Sequence, residues 1–175
     1  MESRNVSQTD ILAQLRNASN SALKCMQCGI CSGSCPSGRH TSLNIRKIVK
    51  RAAKTTDILS DKQLWMCTTC YNCQERCPRG IEIVDILLDI RAISANHGKI
   101  LPEHRKVCEM LLEYGHAVPI DDENRMKRMA IGLEEVPETV HKYEQDLEEV
   151  KKLLESCGFD ELILLTKTAD LDDEL

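Results

Sequence analysis

Eight cysteines fall into two runs of identical spacing, Cys25-x2-Cys28-x2-Cys31-x3-Cys35-Pro36 and Cys67-x2-Cys70-x2-Cys73-x3-Cys77-Pro78, and each cysteine of the second lies 42 positions after its counterpart. Three thiolates at two-residue gaps wrap a curl of backbone around one face of a cuboidal cluster, but they cannot reach the fourth corner unless the chain reverses. In two-cluster arrangements the fourth cysteine of each run ligates the other cluster, and the proline behind it turns the chain away. The spacing therefore predicts two [4Fe-4S] clusters. One is expected on Cys25, Cys28, Cys31 and Cys77, the other on Cys67, Cys70, Cys73 and Cys35.

Other uses of these cysteines explain less. Structural zinc prefers two paired ligand sets, so Cys25, Cys28, Cys67 and Cys70 would make one zinc site. That leaves Cys31, Cys35, Cys73 and Cys77 without a reason to stand at matching positions. A secreted disulfide scaffold is disfavoured, because the chain opens Met-Glu-Ser-Arg rather than with a basic segment and an apolar stretch. A soluble, cytoplasmic protein is expected: the longest aliphatic runs, such as Leu162 to Leu165, are far short of the roughly 20 residues that cross a bilayer. Cys108 and Cys157 stand apart from the runs, and their apolar neighbours predict two small buried residues.

The periodicity between and after the runs is helical. Ile11, Leu12 and Leu15 mark a short helix from about Thr9. Ile45, Ile48, Val49, Ala52 and Ala53 repeat at helical spacing between the runs, with Thr41 or Ser42 as candidate N-cap. Small bacterial two-cluster ferredoxins build β-hairpins around their clusters, whereas this segment has no alternating pattern. Ile83, Ile86, Leu87, Ile90 and Ile93 form another stripe that closes at Gly98, and a further helix runs from Pro102 to Gly115. Residues 116–136 read as irregular apart from a basic turn at Arg125 to Arg128. Val136, Val140, Tyr143, Leu147, Val150, Leu154 and Cys157 then make a heptad seam closed by Gly158, which packs either on this chain's own helices or on another polypeptide. The expected fold is all-α: an α-helical ferredoxin domain over 1–100, a helical extension over 101–158 and an acidic tail over 159–175.

Charge is unevenly spread. Residues 36–66 hold seven Lys or Arg against two Asp, and residues 134–175 hold fourteen acids against four Lys, in a chain of net charge −5. The basic stripe is a solvated face, an offset to cluster charge or a docking surface for an acidic partner. Nucleic acid is not an expected partner, since no aromatic residues interleave the basic run. No Gly-x-Gly-x-x-Gly loop follows a strand, and Gly33 to His40 lacks the lysine and hydroxyl of a phosphate loop. The five histidines have no metal spacing, and no glycine-flanked serine nucleophile is present. No catalytic site is expected, which leaves outer-sphere electron transfer as the predicted role.

The residues around the cysteines, Lys24-Cys25-Met26-Gln27-Cys28-Gly29-Ile30-Cys31-Ser32-Gly33-Ser34-Cys35-Pro36 and Trp65-Met66-Cys67-Thr68-Thr69-Cys70-Tyr71-Asn72-Cys73-Gln74-Glu75-Arg76-Cys77-Pro78, resemble those of the C subunit of the soluble heterodisulfide reductase of methanogenic archaea. The resemblance spans roughly residues 5 to 157. It implies a non-catalytic component of an oxidoreductase complex, passing single electrons from the flavin-bearing A subunit to the B subunit, which cleaves the disulfide of coenzyme M and coenzyme B. It also implies a hydrogenase or formate dehydrogenase in the larger assembly. The chain has no Cys-Cys-Gly run of the disulfide-cleaving domain, so that chemistry is expected on another polypeptide. An equivalent component of another anaerobic reductase, and a helical adaptor braced by structural clusters, are the alternative readings. Anaerobic analysis is expected to find about eight irons and about eight acid-labile sulfides per chain; about one zinc and no sulfide would contradict the ligand assignment.

Overall fold

The computed structural model describes residues 8–139 and 142–172. The elements among them are helical: α1 Gln8–Ala18, α2 Ile30–Gly33, α3 Ile45–Ala52, α4 Asn72–Glu75, α5 Ile83–Asn96, α6 Pro102–Tyr114, α7 Asp122–Ala130, α8 Glu144–Ser156 and α9 Phe159–Asp172. Short 3-10 turns at Asn20–Lys24, Ser37–Arg39, Thr56–Ser60 and Lys62–Met66 join them. No strand occurs among the described residues, and no helix there is long and apolar enough to cross a membrane. The chain divides into two compact units, 1–99 and 100–175.

The first unit is assembled on α5. Ile83, Val84, Ile86, Leu87 and Ile90 are all essentially buried, because apolar residues at three- and four-residue spacing occupy one broad face. Helices α1 and α3, with the turns at Thr56–Ser60 and Lys62–Met66, pack against it and bring in Leu15, Ile45, Ile48, Ile58 and Leu64. The core is aliphatic. Each such side chain contributes at most about 1.5–3 kcal/mol by leaving water. Trp65 sits at its margin, with the Arg91 guanidinium 5.6 Å from the ring centroid, a cation–π contact.

Helix ends follow local chemistry. The N-cap of α3 is Asn44, whose side-chain oxygen accepts from the Lys47 amide at 3.1 Å. This corrects the expectation of Thr41 or Ser42. The Thr41 hydroxyl is engaged in the preceding turn, donating to the Ser37 carbonyl at 2.9 Å and accepting from the Leu43 amide. At the far end of α5, Gly98 takes φ 72° and Lys99 N donates to the Ser94 carbonyl at 2.8 Å. This is the glycine-closed terminus the sequence predicts.

In the second unit α6 begins at Pro102 and ends at Gly115, φ 63°, and α6, α8 and α9 pack on one another. Ile163 and Thr166 are buried, and Arg105 donates to the Thr166 carbonyl at 3.2 Å. Four features depart from the sequence reading. The stretch read as irregular contains α7, capped by Asp121 accepting from the Asn124 amide and supported by a Glu123–Lys127 pair at 2.6 Å. Residues read as an acidic tail form α9 as far as Asp172. The seam is also shorter: Tyr143 is an exposed N-cap, Val140 lies outside the described residues, and only Leu147, Val150 and Leu154 are half-buried on α8. Cys157, expected to be buried, is exposed. It lies past the end of α8, where the chain turns and its thiol donates to the Leu154 carbonyl at 3.1 Å. Cys108 is half-buried.

Ile90 and Leu88 share α5 but not its environment, at 0% and 41% exposure. Ile90→Ala is expected to cost about 2–5 kcal/mol in anaerobic denaturant unfolding of the first unit. Leu88→Ala is expected to cost less than about 1 kcal/mol.

Candidate metal centres

The 42-residue repeat is repeated in three dimensions. The 3-10 turn Asn20–Lys24 delivers the chain to Cys25, and its counterpart Lys62–Met66 delivers it to Cys67. Between the cysteines the backbone twice enters the left-handed region, at Gln27 (φ 60°) and Gly29 (φ 84°) in the first run, and at Thr69 (φ 51°) and Tyr71 (φ 61°) in the second. Non-glycine residues adopt this conformation at a cost of order 1 kcal/mol each. The curl turns amides inward: Gln27 N donates to Cys25 Sγ and Thr69 N to Cys67 Sγ, both at 3.4 Å. Short helices α2 and α4 then present Cys31 and Cys73, and the two helices pack against each other.

The two runs are also anchored reciprocally. Ser37, just past the first Cys-Pro, donates its hydroxyl to the Met66 carbonyl at 2.6 Å, immediately before the second run. Arg79, just past the second Cys-Pro, donates from Nε to the Lys24 carbonyl at 3.2 Å, immediately before the first. The tail of each run is thereby held at the head of the other. One cavity is lined by Cys25, Cys28, Cys31 and Cys77, with Val49, Ile81 and Ile83 as apolar wall. Around Cys73, the charges that act on its thiol are those of Cys67, Cys31 and Cys35.

Cys35 is buried beneath a tight turn in which Gly38 N donates to its sulfur at 3.3 Å. A Cβ on Gly38 would meet the Leu43 carbonyl oxygen at 2.8 Å. The Gln27 side chain adds a second donor to Cys25 Sγ at 3.2 Å, which Thr69 cannot supply to Cys67. Small residues within the runs let amides approach sulfur: Thr69 donates to Cys67 and Ser32 to Cys31. Gln27 and Gly38 do so too, and the register with Thr69 is the signal that points to Gln27. Ser32, which hydrogen-bonds Cys31, also braces α3, its hydroxyl donating to Asn44 and accepting from the Arg46 amide.

Burial pushes the Cys31 thiol up, opposed by hydrogen bonds at Ser32. Cys73 is pushed up to about 11, by burial first and then by the negative forms of Cys67, Cys31 and Cys35. Without a cation these thiols stay protonated at neutral pH, so thiolate formation is coupled to metal uptake. Arg91 brings positive charge to the second run, donating to the carbonyls of Leu64 and Cys67, each at 2.8 Å. Among the described residues no three His, Cys, Asp or Glu side chains converge closely enough to hold a single ion. Cys25, Cys28, Cys31 and Cys77 surround a cavity instead. All-sulfur donors, N–H groups directed at sulfur and an apolar wall suit an iron–sulfur cluster rather than a hard cation.

Gly38→Ala is expected to lower bound iron in the chain, since the Leu43 carbonyl leaves no room for a methyl group. Gly33→Ala, with nothing within 4 Å of its added carbon, is expected to retain the parent iron content. Equal iron in both would contradict this reading of the Cys35 turn.

A family model described as a 4Fe-4S dicluster domain matches residues 21–81, from the turn before Cys25 to the residues after Cys77. Over 154 residues the chain is 55% identical to the C subunit of the ferredoxin:CoB-CoM heterodisulfide reductase of Methanosarcina mazei, covering 87% of this chain and 96% of that protein. It is 54% identical over 155 residues to the C subunit of the ferredoxin/F(420)H(2)-dependent CoB-CoM heterodisulfide reductase of Methanosarcina acetivorans, with 88% and 96% coverage. To the C subunit of the H(2):CoB-CoM heterodisulfide,ferredoxin reductase of Methanothermobacter marburgensis it is 48% identical over 141 residues, with 79% and 76% coverage. The cysteine-bearing helical unit and these relatives together place the chain among the C subunits of heterodisulfide reductases, the family to which it belongs.

Proposed function

We propose that the chain is a two-cluster electron relay within a heterodisulfide reductase complex, receiving single electrons from the flavin-bearing A subunit and delivering them to the disulfide-cleaving B subunit. The supporting observation is the reciprocal anchoring of the two runs. It sets three cysteines of one run and the last of the other around a common cavity. Each bound [4Fe-4S] cluster would take up and return one electron. Cys25, Cys28, Cys31 and Cys77 hold the first in this reading; Cys67, Cys70, Cys73 and Cys35 hold the second.

The protein's own contribution is position and electrostatics. Cys31 of the first run is among the groups whose charge acts on Cys73 of the second, which supports the two sets of cysteines lying close together. The amides of Gln27, Thr69 and Gly38 donate to sulfur. With clusters bound, they would offset the negative charge on the sulfurs and so favour reduction. The aliphatic core behind the first site excludes water, and Cys28 and Cys70 at the rims are exposed. The named relatives act with ferredoxin and the CoB–CoM disulfide. We extend that setting to this chain, along with a hydrogenase or formate dehydrogenase in the wider assembly and a cytoplasmic location.

Dithionite reduction of the cluster-loaded chain is expected to yield paramagnetic signals integrating to about two electrons. A chain that accepts none is a brace and not a relay. In Cys77→Ala the loss of iron is expected from the cluster of Cys25, Cys28 and Cys31. Loss confined to the second run's cluster would contradict the crossed assignment.

A further inference from the structure

The internal repeat provides its own control for surface exposure. On the first run Leu23, Met26 and Ile30 are 75%, 62% and 42% exposed. Their counterparts 42 residues on are Trp65, half-buried beneath Arg91, and the polar residues Thr68 and Asn72. The same backbone therefore covers its apolar residue, or uses polar ones, at the second site. At the first it leaves three large apolar side chains in water. Leu23 lies two residues before Cys25, and Met26 and Ile30 line its cavity; large apolar side chains left exposed around one site are unfavourable for a free surface and characteristic of one that becomes covered.

Positive charge surrounds this patch. Met26, Ile30, Arg46 and Arg79 line the mouth of the cavity that holds Cys25 and Cys28, and Arg79 is hydrogen-bonded to the carbonyl of Lys24. Lys50 lies four residues after Arg46, on the same flank of α3. Among the described residues Lys24, Arg46, Lys50 and Arg79 have no carboxylate partner, whereas Arg51 on the same helix is paired with Asp57 and Asp61. Cys28, which lines the same cavity, is itself exposed.

We propose that Leu23, Met26 and Ile30, ringed by Lys24, Arg46, Lys50 and Arg79, form the surface on which a protein partner with an apolar patch and an acidic rim docks to exchange electrons through the first site. This rests on the relay reading. The protruding aliphatic centre suits another protein's apolar patch, and the unpaired cations suit carboxylates around it, with charge acting mainly on encounter rate and register. It also distinguishes the two runs, since the second carries half-buried Trp65 and polar Thr68 and Asn72 at the positions of Leu23, Met26 and Ile30, with Tyr71 as its own exposed aromatic residue.

The test uses the cluster-loaded chain and the remaining components of its complex, purified anaerobically, with association measured at about 0.1 M and about 0.5 M salt. Leu23→Glu and the double variant Lys24→Glu/Lys50→Glu are expected to weaken association about tenfold or more, with the loss in the double variant shrinking at the higher salt. Lys47→Glu/Lys54→Glu makes the same charge change at exposed lysines outside the ring, one on α3 and one just past its end, and is expected to stay within about twofold. Iron content and dithionite-reduced spectra, recorded on every variant, are expected to match the parent and separate docking from loss of a cluster. Unchanged association in Leu23→Glu and Lys24→Glu/Lys50→Glu overturns the surface and leaves the relay standing. Equal weakening by Lys47→Glu/Lys54→Glu, or self-association of the isolated chain through the patch, also overturns it. Parent chain that takes up no electron overturns the relay itself, whatever its binding shows.

Discussion

In the proposed crossed ligation, a run of three cysteines at two-residue gaps closes around one face of a cube and leaves the last corner to the other run. The rest of the first unit follows from that shortfall. To bring each Cys-Pro tail to the head of the other run, the chain must double back between them, and α3 with its flanking 3-10 turns is the segment that does so. The hydrogen bonds from Ser37 to the Met66 carbonyl and from Arg79 to the Lys24 carbonyl are the two clasps of this exchange. They are related by the same 42-residue step as the cysteines. The symmetry thus reaches beyond the ligands to the turns that deliver them and the backbone strain that curls them.

The second consequence concerns charge. Thiolates are expensive to bury, as the raised pKa of Cys73 shows. The fold offsets this with amides directed at sulfur and with cations at the margin: Arg91 at one run, Arg46 and Arg79 at the other. Behind these polar shells lies an almost purely aliphatic core. Five aromatic residues in the chain are enough, because Ile, Leu and Val on α1, α3 and α5 fill the interior.

The spacing of the cysteines and the stripes on α1, α3, α5 and α6 are legible in the sequence, since both express strong periodic constraints. Gln27, Thr69 and Tyr71 in the left-handed region are not, because local preference points to glycine there and the constraint comes from the ligand curl. Asn44 is hard to single out as the cap of α3 because Thr41 and Ser42 offer the same chemistry; only the turn at Ser37 reveals that Thr41 is already engaged. Helix α7 is held by a cap and an ion pair rather than an apolar stripe, so periodicity passes over it. Helix α9 is hidden by its acidic residues, although Ile163 and Thr166 bury against its own unit. The heptad seam promises more than the chain delivers: Val136 and Tyr143 lie before the start of α8 and outside its register.

The central claim is that each cluster is gripped by both halves of the ligand region. Anomalous scattering from iron in an anaerobic crystal of the loaded chain addresses it directly. The account predicts two groups of about four irons, one bonded to Cys25, Cys28, Cys31 and Cys77 and the other to Cys67, Cys70, Cys73 and Cys35. A group bonded to all four cysteines of a single run, or isolated metal ions between paired cysteines, would contradict it.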